Sequence, residues 1–116
     1  MDEKNDRTNI LKACVAKAQS LKDLIDYSDD SIVSKTIIDK PVGTITLFAF
    51  DKEQALSEHT VKYDAMVEVI DGVGKIRIRN EQIDVSTGQV IIMPANIPHA
   101  VKAEQKFKML LTMIRA

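Results

Sequence analysis

The segment Gly88-Gln-Val-Ile-Ile-Met-Pro94-Ala-Asn96-Ile-Pro98-His99 places a short apolar run between two turns and ends on a histidine. Glycine, proline and asparagine favour turns, whereas the β-branched residues between them favour a strand. The same alternation of short strands and turns continues from about residue 31 to the end of the sequence, with further turn signals such as Asp71-Gly72. Many short strands at regular intervals predict an all-β barrel or sandwich.

In the first thirty residues the apolar side chains have a different spacing. They recur at helical steps of four, four, three and four, which predicts an α-helix from Thr8 to about Ile25. Residues 1–7 are polar and are expected to fray. We therefore predict a helical leader over residues 1–30 and a β-barrel over residues 31–116, within a single domain. The apolar stripe consists of Ile10, Cys14, Ala18, Leu21 and Ile25, and Cys14 is interpreted as a packing residue.

Composition excludes several classes of partner. The chain has 116 residues, a net charge of −1 and one cysteine, so it has no intrachain disulfide and no overall basic character. We expect no nucleic-acid partner, because such binding needs an excess of clustered basic residues, and no membrane span, because no apolar run approaches ~20 residues. The cluster Lys75, Arg77 and Arg79 alternates with isoleucines and is interpreted as a solvated strand face. With no signal peptide visible, we expect a cytoplasmic location.

Residues 65–70, Ala-Met-Val-Glu-Val-Ile, are nearly apolar on both faces of the predicted strand. A closed barrel covers one face of such a strand, so the other face needs the N-terminal segment or a second subunit. Symmetric dimers are the commonest oligomers, and we therefore expect a homodimer.

Two segments resemble the two sequence motifs of the cupin superfamily. In the second motif, Gly88, Pro94 and His99 match at the right spacing, while Asn96 replaces a glycine. In the first motif, His59 takes the first histidine position. This chain departs from that motif at two positions, where Val61 replaces the second histidine and Ala65 replaces the glutamate. Gly72 closes the motif at the expected distance.

The resemblance implies a cupin-type double-stranded β-helix, or jelly-roll barrel, like those of the small single-domain conserved-barrel cupins. In that family three histidines and one glutamate bind a divalent metal. Only His59 and His99 remain here, so the resemblance implies an incomplete metal site for Fe, Mn, Ni, Zn or Cu, or none. If the first-motif strand is regular, Glu58, Asp64 and Glu68 point away from the barrel interior. The predicted ligand pocket then contains His59, Val61, Tyr63, Ala65, His99 and Val101.

Three functions stay open at this point. The slightly favoured one is a barrel that binds a small polar ligand, with or without a weak metal site. The second is a metal-dependent enzyme of the dioxygenase, isomerase or decarboxylase type, with unassigned catalytic residues and His59 or His99 as a candidate general base. The third is a dimeric sensor or interaction module that uses the leader and residues 31–39. The methionines at positions 66, 93, 109 and 113 are interpreted as core rather than as copper ligands.

Overall fold

The computed structural model describes residues 9–116. Within this range β-strands dominate, and the all-β prediction is confirmed. The strands are β1 Asn9–Ile10, β2 Ile32–Lys40, β3 Gly43–Phe50, β4 Ala55–His59, β5 Ala65–Asp71, β6 Val73–Ile78, β7 Glu81–Ser86, β8 Val90–Met93, β9 His99–Lys102 and β10 Phe107–Ile114.

The strands form two antiparallel sheets that share one core. One sheet has the order β1-β2-β3-β10-β5-β8 and the other has the order β4-β9-β6-β7. Alternate residues of each strand face inward, so apolar side chains from both sheets, such as Phe107 and Ile76, meet in a single cluster. The rings of Phe50 and Phe107 stack with their centroids 4.7 Å apart and form the aromatic centre of that cluster.

The predicted α-helix from Thr8 to Ile25 is wrong for the residues that the structure describes. β1 pairs with β2, and only two single 3-10 turns follow, at Lys12–Cys14 and Leu21–Asp23. Ala16 has a φ of 57°, which a right-handed helix cannot contain. Isolated helices of this length are marginal in water, so strand pairing and packing on the sheet override the helical period. The fraying predicted for residues 1–7 lies outside the described residues.

Residues 11–30, called the strap from here on, cover part of the outer face of the larger sheet. Ile25 of the strap is buried in a second cluster with Leu47 and Ala49 of β3. Ile70 of β5 and Leu110 of β10 pack against the same cluster. The N-terminal segment of the same chain therefore covers one end of the doubly apolar strand β5, which was one of the two alternatives foreseen from the sequence.

Polar contacts fix the strap at its C-terminal end. Lys108 is buried, and its Nζ donates a hydrogen bond of 2.6 Å to the carbonyl oxygen of Lys22. The Nζ atoms of Lys106 and Lys108 lie 4.9 and 4.8 Å from the centroid of the Tyr27 ring, within cation–π range. The Tyr27 hydroxyl donates to Asp71 Oδ2 at 2.6 Å. Burial, and then this hydrogen bond, raise the pKa of Tyr27 well above its usual range.

Two residues of the basic cluster, Lys75 and Arg77 of β6, lie on the solvent side of the smaller sheet and pair with acids. Lys75 Nζ is 2.8 Å from Asp84 Oδ2 and 3.6 Å from Glu104 Oε1, while Arg77 is 3.0 Å from Glu58 Oε1. The hydrogen bond and charge of Asp84 raise the pKa of Lys75. Among residues 9–116, no helix has the length and apolarity needed to cross a bilayer. The cytoplasmic location stays a prediction.

The turn between β8 and β9 depends on the left-handed conformation of Asn96, whose φ is 65°. Asparagine tolerates this region better than other residues with a Cβ, which explains why it can stand at a glycine position of the motif. The Asn96 backbone N–H donates to the Val61 carbonyl at 2.7 Å. The turn thus fixes the loop that precedes β5.

Substituting Ile25 tests whether the strap contributes to stability. Ile25→Ala is expected to lower the free energy of unfolding by about 2–4 kcal/mol, because truncating a buried isoleucine removes apolar contacts and leaves a cavity. Val15→Ala is the control, because Val15 is 53% exposed on the same strap. Urea denaturation followed by circular dichroism measures both variants. A loss below about 0.5 kcal/mol for Ile25→Ala contradicts a stabilising strap.

Two substitutions of Asn96 test the turn. Asn96→Val is expected to be about 1–2 kcal/mol less stable than Asn96→Gly, because a β-branched side chain clashes with the backbone at positive φ. For a domain of this size, that corresponds to a melting temperature lower by roughly 4 °C or more. Equal melting temperatures for the two variants would show that the backbone leaves the left-handed region at no cost.

Candidate functional site

An irregularity in β4 brings His59 beside His99. β4 pairs with β9 so that Leu56 lies opposite Val101 and His59 lies opposite His99. Three residue steps along β4 therefore match two along β9, which means that β4 contains one extra residue, as in a β-bulge. In a regular strand Leu56 and His59 would face opposite sides. With the extra residue, both side chains line the same pocket.

The two imidazole rings are adjacent and hydrogen-bonded in the same way. Their centroids are 4.4 Å apart, and the ring planes are inclined by 68°. Nδ1 of His59 lies 2.9 Å from the Ser57 carbonyl oxygen, and Nδ1 of His99 lies 3.1 Å from the Ile97 carbonyl oxygen. Because a carbonyl oxygen only accepts, we assign the proton of each neutral ring to Nδ1. Each Nε2 then carries a lone pair.

The environment of His99 favours its neutral form. His99 is 3% exposed, whereas His59 lies at the exposed rim. Burial lowers the pKa of His99 below its usual value, the Ile97 carbonyl opposes this effect, and the neighbouring His59 lowers the pKa further. His99 is therefore a neutral acceptor near pH 7.

The cavity beside the histidines is small, about 40 Å³, and it opens through a mouth that brings the total non-atom space to about 350 Å³. Apart from the two imidazoles, its walls are aliphatic or thioether groups. It contains five of the six predicted pocket residues. Its lining consists of Leu56, His59, Val61, Ala65, Met93, His99, Val101, Met109, Leu111 and Met113.

The exception is Tyr63, which is half-buried but not among the residues that line this pocket. The prediction assumed a regular first-motif strand, but β4 ends at His59 and β5 begins at Ala65. The intervening loop breaks the alternation on which the placement of Tyr63 depended. The acids flanking this loop have partners elsewhere: Glu58 accepts from Arg77, and Asp64 accepts from the Ala95 backbone N–H.

Sequence reasoning did not assign the methionines to the pocket. Met113 of β10 lies opposite Ala65 of β5, which in turn lies opposite Met93 of β8. The three residues thus form one row across adjacent strands, and both methionines line the pocket. The alternation of inward-facing residues along β10 was the available signal. Met93 and Met109 are also buried in the core, as expected, but Met66 is 37% exposed and is not a core residue.

The pocket does not offer the donor set that the family's divalent metal requires. Its lining contains two imidazoles and no carboxylate. Residues 9–116 contain no group of three or more His, Cys, Asp or Glu side chains arranged to hold a metal ion. Protein sites for divalent transition metals usually supply at least three nitrogen, oxygen or thiolate ligands. His59 and His99 alone therefore do not fit a resident Fe, Mn, Ni, Zn or Cu(II) ion.

Three solved structures illustrate what this chain resembles. A conserved protein of unknown function from Streptococcus pyogenes is 36% identical, with a TM-score of 0.87 over 92% of this chain and 94% of that chain. A cupin 2 conserved barrel domain protein from Leptotrichia buccalis is 39% identical over 80% of this chain, with a TM-score of 0.78, and this chain covers 45% of it. A cupin superfamily protein from Desulfitobacterium hafniense shares the fold at 22% identity, with a TM-score of 0.87 over 93% of this chain and 99% of that chain.

The family comparison agrees with the motifs and the geometry. Among proteins with curated descriptions, none matches this sequence. The family described as "Cupin domain" matches residues 46–115, which include both motif segments and the strands β4 to β10. That match covers more than half of the chain, and the structure has the corresponding two-sheet barrel. The chain therefore belongs to the cupin family.

Proposed function

We propose that this cupin binds a small hydroxylated molecule with an apolar body in the pocket between its two sheets. One observation carries the proposal: two imidazoles, each with Nδ1 against a backbone carbonyl, lie side by side in a pocket whose other walls are apolar. A neutral imidazole with its proton on Nδ1 accepts a hydrogen bond at Nε2. The complementary group on a ligand is a donor, such as an alcohol or phenol hydroxyl.

The composition of the walls changes the kind of ligand that was expected from the sequence. A small polar ligand such as a sugar carries several hydroxyls, each of which needs a partner when buried. An unpaired buried polar group costs about 1–3 kcal/mol, and this pocket offers only His59 and His99 as partners. An apolar body instead gains about 0.8 kcal/mol for each buried methylene. The pocket therefore favours one hydroxyl on a mainly hydrocarbon skeleton.

The enzymatic alternative has less support from the donor set. A dioxygenase, isomerase or decarboxylase of the metal-dependent type needs more ligands than His59 and His99 provide. A neutral imidazole can act as a general base without a metal, so His59 and His99 stay the candidate proton acceptors for any reaction in this pocket. The exposed position of His59 at the rim makes it the more accessible of the two.

The affinities for phenol and benzene separate the contribution of the hydroxyl from that of the apolar body. In protein labelled with ¹³C at the methionine methyl groups, phenol is expected to shift the NMR signals of Met93, Met109 and Met113. Phenol should bind about 2–10-fold more tightly than benzene, because one neutral hydrogen bond contributes about 0.5–1.5 kcal/mol. Glucose should leave these signals unchanged.

A double variant and a matched control identify the origin of that preference. His59→Phe with His99→Phe keeps an aromatic ring at each position and removes both acceptors, so the advantage of phenol over benzene should disappear. Lys102→Ala changes an exposed residue of the same strand β9 and should leave the advantage intact. Equal affinities for phenol and benzene in the wild-type protein contradict the proposal.

We also propose that two copies of the chain associate through the outer face of β5 and β8. Met66, Val90 and Ile92 leave 37%, 55% and 58% of their surface exposed on this face, beyond the reach of the strap. Met66 lies opposite Ile92, and β8 is an edge strand of its sheet. Contiguous apolar surface of this kind favours association. A dimeric sensor or interaction module would use this face in addition to the strap and residues 31–39.

Light scattering after size-exclusion chromatography tests the dimer. We expect the mass of two chains for the wild-type protein and of one chain for Ile92→Lys, because a buried lysine opposes association. Val42→Lys, at the exposed turn between β2 and β3, is the control and should stay dimeric. A wild-type protein that elutes with the mass of one chain refutes this interface.

A further inference from the structure

We propose that the pocket also binds a soft monovalent metal ion, Cu(I), through the imidazoles of His59 and His99 and the thioethers of Met93 and Met113. This site shares the pocket with the proposed hydroxylated ligand, but it depends on different atoms. The observation behind it is the convergence of two imidazoles and several methionines on the lining of one small cavity.

The strand register explains how the two thioethers come together. Met113, Ala65 and Met93 occupy one row across β10, β5 and β8, and all three line the pocket. Directly opposed residues on neighbouring strands have Cβ atoms about 4.5–5.5 Å apart. Ala65, the central residue of the row, has no side-chain atoms beyond Cβ, so it does not separate the side chains of Met93 and Met113. Ala65, which stands where the motif would carry a glutamate, thus lies between two methionines in this row.

The imidazoles are held in a state suited to metal binding. Their centroids are 4.4 Å apart, and each Nδ1 is fixed by a backbone carbonyl. Histidines that bind metals commonly donate their other ring N–H to a carbonyl or carboxylate, which fixes the tautomer and the ring orientation. His59 and His99 already have this arrangement.

The charge of the donors decides which ion the pocket favours. Imidazole and thioether groups are neutral, and the lining contains no carboxylate. A cation in this pocket therefore keeps its full charge, and the cost of moving an ion out of water grows with the square of that charge. A divalent ion loses about four times as much solvation as a monovalent ion of the same size. Thioether sulfur also selects Cu(I) over harder ions.

The simpler interpretation is that these methionines only fill the core. Met109, which is 1% exposed, fits that interpretation well. Leucine would serve the packing role at positions 93 and 113 at a cost of less than about 1.5 kcal/mol, because leucine and methionine have similar volumes. The two interpretations therefore differ in one measurable respect: Met→Leu substitutions preserve packing and remove only the sulfur donors.

An anaerobic titration with Cu(I), buffered by a competing chelator, measures the affinity. Met93→Leu with Met113→Leu is expected to weaken Cu(I) binding at least tenfold. Met66→Leu removes a methionine from the outer face of β5, the strand between β8 and β10, and should leave the affinity unchanged. Zn(II) should bind the wild-type protein at least tenfold more weakly than Cu(I). Wild-type Cu(I) affinity in the double variant, or Zn(II) binding as tight as Cu(I), overturns the proposal.

A second measurement does not depend on whether the variant folds. Ag(I), a redox-inert monovalent ion, is added to wild-type protein labelled at the methionine methyl groups and at the histidine nitrogens. The proposal expects shifts at Met93, Met113 and both Nε2 atoms, and shifts confined to Met66 contradict it. Phenol binding to the same sample separates the two proposals, because a pocket that takes phenol but not Ag(I) rejects only the metal site.

Discussion

The site depends on the irregularity in β4. Side chains alternate across a strand, so a regular strand with the same two residues between Leu56 and His59 would turn the imidazole to the solvent side of the smaller sheet. The irregularity reverses that orientation locally and leaves the pairing of Leu56 with Val101 intact. It also places the Ser57 carbonyl where His59 Nδ1 can donate to it. The pairing of the two rings, and every function discussed for the pocket, follows from this local change of register.

The departures of this chain from the usual motif are chemically consistent with one another. Valine and alanine occupy two positions where the family carries charged or metal-binding groups, and both residues line the pocket. The nearby carboxylates of Glu58 and Asp64 have partners outside it. The result is a pocket with neutral donors and apolar walls, which favours guests of low charge. A barrel can thus keep its shape and its second motif while the side chains that line its pocket change from charged to neutral.

Much of the barrel could be predicted because its signals are local. Turn residues and alternating side chains determine strands over a few residues, and the spacing from Gly88 to His99 determines one complete strand with its turns. The pocket positions of His59 and His99 followed from the resemblance to the cupin motifs, and those of Val61, Ala65 and Val101 from alternation counted from the two histidines. Tyr63 did not, because a loop interrupts the strand, and a single sequence gives no signal for that interruption. The strap was mistaken for a helix because its apolar residues have helical spacing, whereas its actual contacts come from the distant strands β3 and β10.

The anchoring of both rings has a consequence for how such a protein can diversify. Each imidazole is oriented by a carbonyl only two positions earlier in its own strand or turn, and not by a side chain from across the barrel. Wall residues such as Leu111 and Val101 can therefore be exchanged without disturbing the direction in which the nitrogen atoms point. Natural variation or laboratory evolution can then change which ligand binds by exchanging wall residues, while the two imidazoles keep their orientation.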